Sequence, residues 1–333
     1  MIPQTNILAT GIAGIFLTSF SAQAALWDGG GLGDEFSTAE NWADDTFPGN
    51  LEAGAKLAEI NGVFTVERSV DSVVERSSVG GGATLNIPSG THSDDQSGAG
   101  TRTYVGNGSD GTVVQSGGSW NIGHALVIGN GASGNGLYVL NGGDLLLTRG
   151  ANSVVDPQFG RPSLDVAGNG GAGSIDISGG TFATRFGVNI GANGTFHVAQ
   201  SGLTVGIATT SSGDGWWIQK AGGTLRTGID AGGATNIIVQ DSVAAKGVLF
   251  EDGAILDPYD AGGAGMNTWF TVMTLSGEGA FDDQGLSLSP DAISAGWEKQ
   301  LVGSSLQVRL IPEPSVALLG GLGLLGLLRR RRH

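Results

Sequence analysis

The sequence predicts an all-β protein built as a parallel β-helix, or β-solenoid, with an N-terminal cap and antiparallel strands at its C-terminal end. Three observations carry that expectation. Glycine is extreme, at 61 of 333 residues, and it falls between apolar runs. A Gly-Asn-Gly-like turn recurs with starts at Gly106, Gly129, Gly168 and Gly191. Between those turns lie runs of four or five residues that alternate apolar and polar, such as Thr112-Val113-Val114-Gln115 and Ser174-Ile175-Asp176-Ile177. Period-two alternation is the signature of a strand. Self-similarity at a period of 20-odd residues is that of a stacked repeat. A β-sandwich is the alternative, because a sequence does not separate in-register stacking from hairpins.

The chain opens with residues 1–24, which carry no charged side chain. An apolar run over 7–17 leads to Ala22-Gln23-Ala24, a small-x-small pattern, followed by Ala25. This reads as a signal peptide cut after Ala24 by signal peptidase, although its first residues lack the usual Lys or Arg. Residues 25–80 read as the N-terminal cap and first strands. Trp27, Phe36 and Trp42 can cover the first coil, and Phe64-Thr65-Val66 begins strand pairing.

Residues 81–250 hold the repeats. Each unit has a Gly/Asn turn, a short alternating run, a Gly-Gly turn and a second short run. The starts are spaced 23, 39 and 23 residues, and the long gap contains an insertion from Arg149 to Ser163. A weaker fifth copy aligns Gly222-Gly223 with Gly117-Gly118. Glycine and asparagine supply the positive-φ corners. Residues 251–311 read as a C-terminal β cap, with strands expected at 269–275, 286–288 and 306–310 in antiparallel order and Trp297 packed beside them. The tryptophans read as cap and core, with sugar-stacking platforms as the other use of such residues.

The last segment, 312–333, has three parts. Pro312-Glu313-Pro314-Ser315 comes first, then a 13-residue uncharged run over 316–328, then Arg329, Arg330, Arg331 and Arg332. As a helix that run reaches about 20 Å, short of the ~30 Å hydrocarbon core of a bilayer. The arginines can snorkel and should stay cytoplasmic, leaving the body outside. This segment resembles the PEP-CTERM sorting signal of Gram-negative bacteria. The resemblance implies recognition by an exosortase, cleavage near the Pro-Glu-Pro, and a transient inner-membrane anchor. It also implies release to the cell surface or an exopolysaccharide and biofilm matrix. It covers only about 22 residues and says nothing of what the body does. The Trp…Asn-Trp…Pro opening of the cap resembles that of exported glycine-rich repeat proteins with this signal, and the body is similar to autotransporter-like β-repeats.

Charge narrows the partners. Residues 25–311 carry 12 basic and 30 acidic side chains, a net of −18. Such a surface repels phosphate backbones, so no nucleic-acid partner is expected. Exopolysaccharide is the expected polymer contact. The chain has no cysteine, which excludes disulfides and thiolate chemistry.

The constellations for catalysis are sparse. His92, His124, His197 and His333 are far apart, and no His-Glu-x-x-His occurs. Stacked coils could bring together Asp144, Asp165 and Asp176 with Arg149, Arg161 or Arg185, as a polysaccharide lyase or glycosidase would need. Asp176, however, alternates with Ile175 and Ile177 as any solvent-facing strand residue does. Ca²⁺ could find oxygen ligands at Asp94-Asp95, Asp282-Asp283 or Ser109-Asp110-Gly111, which otherwise read as solvated turns. No cofactor is expected. The reading is therefore a non-enzymatic, exported structural protein or adhesin of the envelope or matrix, with a carbohydrate-active enzyme on the same scaffold as the alternative.

Overall fold

Strands of three to six residues separated by glycine corners cannot bury an apolar face alone, so they must stack. The computed structural model describes residues 24–31, 33–43, 45–48, 57–95, 102–148, 162–207, 215–241 and 247–312. In it the chain visits three ten-stranded, mostly parallel sheets in turn, one strand per sheet per coil. We call these the first, second and third faces. Coil 1 runs through Leu57–Asn61, Thr65–Glu67 and Ser72–Val74. Coil 8 runs through Gly247–Phe250, Ile255–Gly262 and Phe270–Gly277. This is the arrangement expected of a β-solenoid. Pairing between coils is parallel, which removes the antiparallel sandwich.

Alternation decides what is buried. On the second face Val66, Leu85, Val113, Tyr138, Ile175, Phe196, Leu225 and Leu256 are in register from coil 1 to coil 8. All eight are fully buried. Each side chain removed from water contributes about 1.5–3 kcal/mol before chain entropy is counted. The cap behaves as its aromatics suggest. Ala25–Leu26 adds a parallel strand beyond coil 1. Trp42 meets Trp27 and Phe36 edge-on, with centroids 5.2 and 5.1 Å apart, and its Nε1–H donates to the Phe36 carbonyl at 2.9 Å.

The Gly-Asn-Gly turns form the corner between the first and second faces. Their asparagines build an amide ladder: Asn130 Nδ2 donates to Asn107 Oδ1 at 2.7 Å, and Asn169 Nδ2 to Asn130 Oδ1 at 2.8 Å. Gly117-Gly118, Gly142-Gly143 and Gly179-Gly180 form the corner between the second and third faces.

Several sequence expectations are corrected. The stack begins at Leu57 and ends at Leu288, wider than 81–250. Gly222-Gly223 lies at the first corner; Gly232-Gly233 is the true counterpart of Gly117-Gly118. The expected 286–288 strand is not antiparallel, because Ser287–Leu288 extends the second face in parallel. Two elements were unforeseen. Ser289 caps a helix, Pro290–Ser294, by accepting from the Ala292 N–H at 3.0 Å. Trp297–Val302 then pairs antiparallel with Ser305–Leu310, which lies antiparallel on Phe270–Gly277 and closes the third face. No helix among the described residues is long and apolar enough to cross a membrane. The expected C-terminal helix lies outside the described residues.

Candidate functional site on the second face

The same register that aligns the core also aligns what points out. Asp176, His197, Arg226 and Asp257 are consecutive rungs on neighbouring coils of the second face. Each is flanked by buried residues: Ile175 and Ile177, Phe196 and Val198, Leu225 and Thr227, Leu256 and Pro258. His197 Nδ1 is 2.9 Å from Asp176 Oδ1, and Arg226 Nε is 3.6 Å from Asp257 Oδ2. Ser289 Oγ donates to Asp257 Oδ1.

Tyr259 completes the group. It lies opposite Gly228, where a Cβ would come within 2.0 Å of the Ala199 carbonyl and 3.0 Å of the phenol oxygen. The bare glycine lets the ring lie back across the face. Its hydroxyl reaches His197 Nε2 at 2.8 Å and the Ala199 carbonyl at 3.2 Å, and the Arg226 guanidinium sits 4.8 Å from the ring centre.

The protons have two complete arrangements. With neutral His197 protonated at Nδ1, that N–H donates to Asp176 and Nε2 accepts from Tyr259. With the imidazolium, both ring N–H groups donate and the Tyr259 hydroxyl turns to Ala199. Burial pushes the Tyr259 phenol up, Arg226 opposes this, and Asp176 and Asp257 add to the rise. At neutral pH the group is thus a protonated phenol backed by an imidazole. It can donate and relay a proton but is not a ready base.

Of the carboxylates proposed from sequence, only Asp176 belongs here. Asp144 is on the third face, 3.4 Å from Ser119 Oγ. Asp165 is on the first face, nearly buried, and accepts from Asn189 Nδ2 at 2.8 Å. Burial raises its pKa against that hydrogen bond. Arg185 packs over Phe186, and Arg149 and Arg161 lie outside the described residues. The three acids occupy three faces and do not form one groove. His197, Arg226, Asp257 and Tyr259 were missed because unequal coils separate them by 21, 29 and 31 residues.

A second polar cluster is closed to solvent. Asp94, read from sequence as a solvated acid, points inward and is fully buried. It accepts from Arg68 Nη1 at 3.3 Å, the Ser77 N–H at 2.8 Å, Ser77 Oγ at 3.2 Å, Thr103 Oγ1 at 2.6 Å and Trp120 Nε1 at 3.0 Å. Arg68 lies between the rings of Phe36 and Trp120, 4.8 and 5.6 Å from their centres. His92 and His124 border this cluster through Ser72 and Thr103. Burial, then the charge of Arg68, lowers the His92 pKa to about 4; burial also lowers that of His124. His333 lies outside the described residues.

No group of three or more His, Asp or Glu side chains among the described residues could hold a metal ion. Six of the seven tryptophans are buried, and Trp269 lies under Arg309 at 4.5 Å. Ala24 immediately precedes the first strand, and Ala25 opens it. Pro312 is exposed just past the last strand. Ala22, Glu313, Pro314, Ser315 and Arg329 to Arg332 lie outside the described residues. No family model, curated protein or solved structure matches the chain.

Proposed function

We propose that this is an exported structural or adhesive protein of the cell envelope or exopolysaccharide matrix, held transiently at the inner membrane and processed at a PEP-CTERM-like signal. One observation carries the reading. The first strand starts at Ala25, one residue past the expected signal-peptide cut, and the last ends at Leu310, two residues before Pro312. Both processing points therefore fall at the limits of the β fold, and neither cut removes a strand. Deleting residues 312–333 in a host carrying the matching exosortase should abolish C-terminal processing and shift the protein from the surface to other fractions. Fractionation and intact mass of the tagged protein read both effects; unchanged mass and location would overturn the sorting assignment.

The Asp176–His197–Tyr259–Arg226 array favours a second reading, a carbohydrate-active enzyme. Release of reducing ends or unsaturated products from acidic or neutral polysaccharides, abolished by Asp176→Ala, would replace the structural reading. The expected result is no turnover.

A further inference from the structure

Two residues before the Asp176 ladder on each strand runs a second outward row. Thr65, Thr84, Thr112, Ser174, Thr195 and Thr224 lie on it in register, broken only by Leu137. From coil 2 to coil 7 the row extends about 24 Å, at about 4.8 Å per rung. Beside its middle rungs lies an open groove of about 480 Å³, walled by Thr112, Ser174, Asn135 and Asn193. Its floor is bare backbone, because a Cβ at Gly111, Gly136 or Gly173 would meet the carbonyl oxygen of the preceding coil at 2.3, 2.2 or 2.4 Å.

These polar groups are uncommitted. Among the described residues, the hydroxyls of Thr112, Ser174, Thr195 and Thr224 and the amides of Asn135 and Asn193 make no hydrogen bond within the protein. The corner asparagines Asn107, Asn130 and Asn169, by contrast, bond each other. Hydroxyls and primary amides both donate and accept, as sugar hydroxyls do. The row is uncharged, and Asp110 is the one charged residue lining the groove. An acidic body repels a polyanion, and an uncharged row gives a polycation no counter-charge.

We propose that this row and groove bind a neutral, linear polysaccharide lying along the stack axis. The inference rests on the adhesive reading and names its ligand class. Its test is affinity electrophoresis of the full chain through gels containing xyloglucan, a β-glucan or dextran, with alginate and polygalacturonate as anionic probes. At least one neutral polymer should retard the protein. The variant Thr112→Val/Ser174→Ala/Thr195→Val should bind it at least about tenfold more weakly, since each lost hydrogen bond costs a fraction of a decade to a decade in affinity. Valine keeps the β-branched shape, so the melting temperature should hold. Thr181→Val, on the third face, should bind as the parent does. Single Thr195→Val keeps the test if the triple variant does not fold. The proposal is overturned if no neutral polymer retards the protein, if only the anionic ones do, or if the row variants bind like the parent. If the tail deletion still misroutes the protein in that case, the sorting reading survives and this inference alone falls.

Discussion

Replacing Asp94 with alanine should destabilise the protein by about 3–5 kcal/mol, because the change strands a buried guanidinium. Arg68 and Asp94 are both fully buried, and Asp94 is the acceptor for five donors from coils 1, 2 and 3 and the turn between coils 1 and 2. Removing it leaves Thr103 Oγ1 and the Trp120 indole N–H without that partner, each an added desolvation cost. Urea denaturation of Asp94→Ala reads the loss directly. The double variant Arg68→Met/Asp94→Leu should recover much of it, since replacing both ions avoids an uncompensated charge. A loss below about 1 kcal/mol in Asp94→Ala would show that the cluster does not hold the cap to the stack.

Acid should attack the same region. The folded-state pKa of His92 is lowered to about 4, so the unfolded chain takes up this proton first as pH falls below about 6.5. Stability is therefore lost progressively between those values, at up to about 1.4 kcal/mol per pH unit for one such group, and His92→Gln should flatten that slope.

Why Asp94 escaped the sequence reading is instructive. Asp94-Asp95 reads as a polar pair at the end of a run, and two adjacent acids suggest solvent. The alternation His92–Ser93–Asp94 puts His92 and Asp94 on one side of the strand, but both sides of that strand are polar, so the pattern does not say which is inside. The core supplies the answer through Arg68, which comes from the preceding coil. The repeats were legible where corners are rigid: Gly-Asn-Gly marks the first corner and Gly-Gly the second through coils 3 to 5. They blurred where coil length varies. Gly222-Gly223 was aligned one corner out of phase because both corners use paired glycines and coil 7 is longer. The Asp176–His197–Tyr259 contact was hidden for a related reason. Tyr259 reaches back two coils over Gly228, and an absent side chain two strands away leaves no local pattern.

The rigid corners also give a sharp contrast within a single motif. Gly129 and Gly131 flank Asn130 and have nearly the same backbone, φ +73° and +77°. A Cβ on Gly129 would lie 1.9 Å from the Ala172 carbonyl oxygen of the next coil, whereas one on Gly131 meets nothing within 4 Å. Gly106 and Gly108, one coil earlier, repeat the pattern: the first would strike Asn135 at 2.5 Å and the second nothing. If left-handed φ were all that the motif required, alanine at either position would cost the same, about 1–2 kcal/mol. Close stacking of coils predicts otherwise. Gly129→Ala should cost at least about 4 kcal/mol, because neighbouring backbones must separate and their ladder hydrogen bonds lengthen. Gly131→Ala should cost only the conformational strain. Paired urea titrations decide between these. Equal losses would mean that the corners yield easily and that glycine is there for φ alone. Unequal losses would mean that the first glycine of each Gly-Asn-Gly sets the closeness of the coils, and with it the spacing of every outward rung on the second face.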